Sequence, residues 1–378
     1  MFQNYFTSES VTAGHPDKIC DAVSDAILDA ALSQDADSRV AIDTWVKGNT
    51  LGVIGEIKTK SNLDFEAIAR AKVNEIGYFR PELGFTGGDL EFFSKISAQS
   101  NEISQAVDKL EGPTGAGDQG IMFGFACKQT KNLMPLPIVL AHELARKLHE
   151  YRQELEKDKN YILGPDGKTQ ATLIFDQNWK PIKIETLLIS SQHSADFHQS
   201  DLKKLLIENV ILPVITSLEI EDLFQEPNIL VNPSGSFVEG GPVADSGLTG
   251  RKIIVDSYVG WARVGGGAFS GKDATKVDRS AAYMARYLAK HIVTQDMADE
   301  VEIQLSYAIG KAEPVSIGLL GKLNHHEKEI LNYINSNFDL TPNGIIDFLD
   351  LKKPIFSQTS AYGHFGRIDQ VGGFSWEN

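Results

Sequence analysis

The sequence predicts an α+β protein of three similar α/β units, with helices packed on mostly antiparallel sheets in a pseudo-threefold arrangement. Three observations carry this. A helix, two strands and a second helix recur over residues 17–76, 137–215 and 278–351. The strands come in adjacent pairs, so antiparallel pairing alternates with helices instead of building a doubly wound parallel sheet. The recurrence has no sequence identity and no constant period, which makes it a repeat of topology alone. With 378 residues, 42% of them hydrophobic, the chain has room for two or three domains. The divisions fall at 1–101, 115–232 and 233–378.

The first unit opens on Gly14-His15-Pro16-Asp17-Lys18. Pro16 suits the first helical position and Asp17 the first turn, where it offsets the helix dipole. Ile19, Ala22, Val23, Ala26, Ile27 and Ala30 then form one apolar face. As local structure, His15 is a cap. As chemistry, His15, Lys18 and the helix N-terminus meet phosphate while Asp17 holds Mg²⁺, which needs few carboxylates when phosphate and water supply the rest. Strands Arg39 to Lys47 and Leu51 to Lys58 follow, then a helix from Asp64 to Ile76. Asp43 and Glu56 interrupt strand faces that are otherwise apolar; either the face is core and each carboxylate needs a partner, or it is an edge or solvated face.

Between Gln99 and Gly120 the periodicity lapses into turn formers, among them Gly115-Ala116-Gly117-Asp118-Gln119-Gly120. Such a long irregular segment is either a lid or binding loop or an ordinary surface loop, and glycine content alone favours the surface loop. The helix Pro137 to Tyr151 contains His142 and His149, whose spacing is not that of a zinc protease, so both read as structural. Pro165-Asp166-Gly167 makes a turn. Lys168 then leads into the strand Thr169 to Phe175, which is followed by the strand Pro181 to Ser191 and the helix Asp201 to Ile215.

A glycine-rich passage from Asn232 to Gly250 runs into Arg251-Lys252. Ile253 to Val259, rich in β-branched and aromatic residues, reads as a strand. Gly265-Gly266-Gly267-Ala268-Phe269-Ser270-Gly271-Lys272-Asp273 comes next, and a helix runs from Asp278 to Val293. Strand, glycine loop and helix together make an anion site. Gly266 to Lys272 fits G-x-x-x-x-G-K, but the P-loop reading is weak, because Asp273 stands where a Ser or Thr must hold Mg²⁺. The chain carries a net charge of −15, yet residues 251–290 concentrate Arg251, Lys252, Arg263, Lys272, Lys276, Arg279, Arg286 and Lys290. Lys272 and Lys276 fit a polyphosphate, whereas Arg286 and Lys290 read as a solvated helix face. Strands Val301 to Ala308 and Pro314 to Leu319 and two short helices complete the third unit.

Composition excludes several classes. No apolar run is long enough to span a membrane, and Met1 to Ser10 is too mixed for a leader. Cys20 and Cys127 are too few for a disulfide framework or a cysteine zinc site, so the expected setting is cytoplasmic and reducing. The acidic balance argues against nucleic acid as a partner.

Taken together, these motifs resemble the S-adenosylmethionine synthetase (methionine adenosyltransferase) family, bacterial type. The resemblance rests on Gly14 to Lys18, Gly115 to Gly120 and Gly265 to Asp273 in that order. It also rests on Gly247-Leu248-Thr249-Gly250-Arg251-Lys252 and Ala361-Tyr362-Gly363-His364-Phe365-Gly366-Arg367, and runs from about Phe6 to Arg367. It implies attack of the methionine sulfur on C5′ of ATP, with expulsion of tripolyphosphate and its cleavage to pyrophosphate and phosphate. A thioether has no proton to lose, which accounts for the lack of any nucleophile–base signature. Alignment and stabilisation of the departing charge are what such a reaction requires.

The resemblance implies that His15 meets O5′ and the triphosphate, and that Asp17 and Asp278 hold two Mg²⁺. Lys168, Arg251, Lys252 and Lys272 grip the polyphosphate, and Ala268 lines the nucleotide site. Asp166 and Gly167 lie beside the nucleotide, and Phe237 stacks on adenine. Glu56, Gln99, Asp118, Asp245 and Lys276 belong to the methionine and adenosyl pocket. Residues 99–112 correspond to a mobile loop over the site. ATP and L-methionine are the substrates, and self-association as a dimer or dimer of dimers places each site at a subunit interface. Asp43 stands where a glutamate commonly binds K⁺; Ala13, Gly164 and Ser236 also depart from the usual pattern. The rival readings are another ATP-dependent phosphotransferase and a catalytically silent subunit.

Overall fold

Helix α1 (Pro16–Gln34) follows strand β1 (Asn4–Val11) and precedes the hairpin β2 (Arg39–Lys47) and β3 (Thr50–Lys58). The computed structural model describes residues 4–98, 115–367 and 373–378. Helix α2 (Phe65–Ile76) is capped by Asp64, which accepts the Ala67 N–H at 3.0 Å. It leads to β4 (Glu91–Ala98), laid parallel to β3. The central segment repeats the pattern. After β5 (Gly120–Cys127) come α3 (Leu136–Lys157) and the hairpin β6 (Leu163–Phe175) and β7 (Pro181–His193). Helix α4 (Gln199–Leu206) passes through a π-helical stretch, Ile207–Ile211, into α5 (Leu212–Ser217), and β8 (Asn228–Val231) lies parallel to β7. The third segment has β9 (Gly247–Leu248), α6 (Val277–Thr294), the hairpin β10 (Ala298–Tyr307) and β11 (Ser316–Leu323), α7 (Glu327–Asn337) and α8 (Pro342–Phe348).

The result is three α/β units on mostly antiparallel sheets, ordered β4-β3-β2-β9, β1-β6-β7-β8 and β11-β10-β5. In each, one strand is borrowed. β1, from the first segment, pairs with β6 of the second; β5, from the second, pairs with β10 of the third; β9, from the third, pairs with β2 of the first. Each borrowed strand adds to the first strand of a hairpin, so the loan runs in a closed circle. α1, α3 and α6 cover the inner faces with side chains such as Ile19, Val23, Leu140, Leu144, Met284 and Leu288, all fully buried. Burying each aliphatic side chain is worth about 1.5–3 kcal/mol relative to exposure.

Two sequence readings are corrected. Ile253 to Val259 is no strand: Ile253–Asp256 is a single helical turn, in which the Asp256 N–H bonds Lys252 O at 2.8 Å. Asp256 turns inward to meet Lys18, and Val259 ends the turn at φ 42°. The β-branched run is thus a corner, buried from Val255 to Val259 but with Ile254 exposed, which local propensity cannot distinguish from a strand. Arg286 is not on a solvated face. It is fully buried, and its guanidinium meets both carboxylate oxygens of Glu377, at 3.0 and 2.9 Å, and the carbonyls of Phe125, Asn132 and Leu133. Lys290 joins it on Glu377. The chain end is held there further by Trp376, whose ring stacks 3.9 Å from Tyr283. His142 Nδ1 lies 2.8 Å from Ser10 Oγ, and burial pushes the pKa of both His142 and His149 down to about 3. Strands β1, β4, β5, β8 and β9 have no counterpart in the sequence reading: β8 and β9 are short, β1 and β4 are rich in polar residues, and β5, apolar and largely buried, follows directly on a run of turn formers.

Candidate functional site

The start of α1 is built by three distant segments. Thr12, between β1 and the helix, donates its N–H to Gly167 O at 2.9 Å and its hydroxyl to Pro165 O at 2.8 Å. The β1–β6 register sets Val11 opposite Lys168, so Asp166, Gly167 and Lys168 run beside His15. Tyr78 reaches over from the end of α2 to donate to Gly14 O at 2.6 Å. His15 is the N-cap: its Nδ1 accepts the Asp17 N–H at 3.2 Å.

A third segment docks on a row of carboxylates that the sequence reading overlooked. Asp17, Asp21, Asp25 and Asp29 recur every four residues on one side of α1. Each captures backbone N–H groups from far along the chain. Asp17 takes that of Leu248 and Asp21 that of Gly250, at 3.0 and 2.9 Å; Asp25 takes Gly271 at 2.8 Å, and Asp29 takes Phe356 and Ser357. Asp17 also receives Lys252 at 2.5 Å and lies 3.7 Å from Arg251. Lys18, fully buried, pairs with Asp21 and Asp256.

The electrostatics of this first group are set by that convergence. Burial, then the charge of Lys252, push His15 down to about 3, so its imidazole is neutral at neutral pH. Burial works against a charged Asp17, but Lys252 and the Leu248 N–H outweigh it and hold the carboxyl below its ordinary value. Asp166 is buried, with one oxygen bound to the Gly241 N–H at 2.8 Å and the other without a hydrogen-bond partner. Burial pushes it up to about 6. Asp245 is exposed yet close enough for its charge to act on both His15 and Asp166. Phe237, half-buried, donates its N–H to His193 Nε2 at 3.2 Å, and Ala268 lies against Gly250.

A second group forms at the glycine stretch. Lys272 lies 2.6 Å from Asp278 Oδ2, and its backbone bridges to Ala41 of β2. Asp43 stands two residues on, facing Lys272 and Glu56: partial burial and Glu56 raise its carboxyl, and Lys272 opposes them. Lys276 is drawn to Asp273 at 2.5 Å. Asp118 is exposed and accepts the Gln119 N–H at 2.7 Å. The glycines here serve less to bare N–H groups than to make space, since a Cβ on Gly267 would lie 2.1 Å from Asp278 Cγ. Gln99 and the loop over residues 99–112 lie outside the described residues. Among those described, no hydrogen bond or ion pair joins His15 or Lys168 to Lys272, and each set is defined by its own contacts, Asp17 with Lys252 and Asp278 with Lys272.

Both groups adjoin the sheet β4-β3-β2-β9, the first where Asp17 meets Leu248 of β9 and the second where Lys272 bridges to Ala41 of β2, and one face of that sheet is open. That face exposes Asp43 and Glu56 together with Ile54 at 47%, Phe93 at 58% and Leu248 at 46%. Among the described residues, no set of three or more His, Cys, Asp or Glu side chains could cage a metal ion. Asp17 and Asp278 are instead single carboxylates, each already beside a lysine, and Asp278 lies in a cradle that a Cβ would fill. This suits Mg²⁺, which keeps water and takes oxygens from a bound polyphosphate.

Comparison with protein families returns three matches in chain order: S-adenosylmethionine synthetase, N-terminal domain, over residues 3–101; central domain, over 113–237; and C-terminal domain, over 239–378. No helix of the described residues is long and apolar enough to cross a membrane.

Proposed function

Since the chain belongs to the S-adenosylmethionine synthetase family, we propose that it joins ATP to L-methionine by attack of the methionine sulfur on C5′. Tripolyphosphate departs and is then hydrolysed to pyrophosphate and phosphate. The observation that carries this reading is the convergence of Asp166–Lys168 and Leu248–Lys252 on the His15–Asp17 turn. The C5′–O5′ bond breaks with its electrons on oxygen, so negative charge grows on the leaving chain and positive charge on sulfur. A neutral His15 whose Nδ1 accepts the Asp17 N–H carries its proton on Nε2. It can therefore donate a hydrogen bond to the departing oxygen.

Lys168, Arg251, Lys252 and Lys272 would hold the polyphosphate oxygens, with Lys252 and Lys272 turning to them from Asp17 and Asp278. Those two carboxylates would then hold Mg²⁺, which neutralises charge on the polyphosphate when bound. Asp43 would be the carboxylate offered to K⁺; it shares its surroundings with the Lys272 ammonium, a cation competing for the same charge. Asp118, Asp245, Glu56, Gln99 and Lys276 would frame methionine and the adenosyl group, with Lys276 on the amino acid carboxylate. Asp166, Gly167, Phe237 and Ala268 would frame the nucleotide, and residues 99–112 would cover it. Because the two groups adjoin a sheet whose exposed face carries apolar side chains, a second copy of the chain would bring the Lys272 group of one subunit to the His15 group of the other, as a dimer or dimer of dimers. The three family segments would then be the domains of each subunit.

The test is a product assay with ATP, Mg²⁺ and methionine, with and without K⁺. A sulfonium product detected by mass, with no ADP, is expected. ADP would replace this reading with a phosphotransferase, and neither product would leave a silent subunit.

A further inference from the structure

Arg279 follows Asp278 on α6, and its side chain is fully buried, as is that of Asp25 on α1. A guanidinium has five N–H donors in a fixed fork. Here all are used. Two meet the oxygens of Asp25 at 2.7 and 3.0 Å, one meets Tyr283 Oη at 3.0 Å and one meets Thr359 Oγ1 at 3.0 Å. The last reaches Lys272 O at 3.2 Å. Asp25 in turn accepts the Gly271 N–H at 2.8 Å. A pair needed only to tie α1 to α6 has no reason to address the loop. This one brackets the Gly271–Lys272 dipeptide, taking the N–H before it and giving to the carbonyl after it. The bracket holds a conformation with no slack: Gly271 has φ 78°, and a Cβ there would lie 1.9 Å from Ile42 O.

We propose that Asp25 and Arg279 are positioning residues that clamp the backbone at Lys272 and so aim its ammonium at the polyphosphate. The proposal rests on the role given above to Lys272. It also gives the late motif a place in the chemistry. Thr359 holds one side of the guanidinium, while His364 Nδ1 lies 2.8 Å from the hydroxyl of Tyr283, which holds another. One route from that stretch to Lys272 thus passes through Tyr283 and Arg279, while a second reaches the His15 turn, where Tyr362 Oη accepts the Ala13 N–H at 3.3 Å.

The experiment is a double-mutant cycle read by binding of inorganic tripolyphosphate with Mg²⁺ and by the rate of sulfonium formation. Asp25→Asn keeps an oxygen for the Gly271 N–H but removes the charge. In the wild-type background it should weaken tripolyphosphate binding by about 10–100-fold, and in the Lys272→Ala background by less than about twofold. A clamp serving stability alone would cost the same factor in both backgrounds, which overturns the proposal. Should Asp25→Asn fail to fold, Thr359→Val, which removes one acceptor from Arg279 and one local donor to Phe356 O, should weaken binding by about 3–10-fold and only while Lys272 is present. The two readings fail separately. Coupled binding without sulfonium formation would discard the reaction and keep the clamp. Sulfonium formation with independent factors would discard the clamp and keep the reaction. Tripolyphosphate binding indifferent to Lys272→Ala would also overturn the clamp.

Discussion

Replacing Lys272 by alanine separates its chemical role from any structural one. Its ammonium and the Asp278 carboxylate are 27% and 19% exposed at 2.6 Å. Pairs that water still reaches contribute about 0–1 kcal/mol to stability, and for this partly covered pair the variant should lose about 1 kcal/mol. Removing one preorganised donor from a charge that grows in the transition state costs about 3–4 kcal/mol, or 10²–10³ in kcat. The two magnitudes are far enough apart to measure independently. Sulfonium formation at saturating ATP, methionine and Mg²⁺ should fall by about 10²–10³. The thermal midpoint should move by no more than about 2–4 °C. Lys272→Arg, which keeps the charge, should recover part of the rate. A variant within threefold of the wild-type rate would remove Lys272 from the leaving-group site, and a midpoint falling by more than about 10 °C would make it a structural residue instead.

Two further outcomes follow from buried charges. Asp166 has a folded pKa raised from 3.8 to about 6 by burial, so the stability it contributes is complete below its unfolded pKa and is lost as pH rises through 6. Asp166→Asn should therefore gain on the wild type by up to about 3 kcal/mol between pH 4 and pH 8; denaturant titrations giving a pH-independent difference would contradict the burial assigned to it. Glu377→Gln leaves the Arg286 guanidinium buried without its counter-charge and should cost about 3–5 kcal/mol of stability, much of it restored by adding Arg286→Met. A loss under about 1 kcal/mol would mean that the tail does not anchor α6.

What the sequence made legible was whatever a short window could hold. The α1 face, the hairpin β2–β3 and the helix beginning near Asp278 follow from periodicity and caps, and Gly14 to Lys18 declared itself by composition. The carboxylates of Asp17, Asp21, Asp25 and Asp29 were also in plain view at helical spacing. Their meaning was not, because the N–H groups they hold belong to residues more than two hundred positions away. Arg286 failed for the same reason, its partner being Glu377. Ile253 to Val259 failed because β-branched residues suit any buried backbone, and Asp256 was needed for Lys18. The gathering of His15, Lys168 and Lys252 was expected from the family resemblance, while the bridge from Lys272 to Ala41 of β2 is a tertiary contact that no local pattern encodes.

The circular loan of strands has a bearing on how the polypeptide is made. While it emerges from the ribosome, β1 waits more than a hundred and fifty residues for its neighbour in β6, and β2 has bare edge groups until Gly247–Leu248 has been synthesised. Any excised third would carry one orphan strand and one open sheet edge, which invites misassociation between molecules. The sheet β1-β6-β7-β8 can close once Val231 has been made, whereas the sheet of the first segment must wait for the third, so no one of the three closes from its own residues alone.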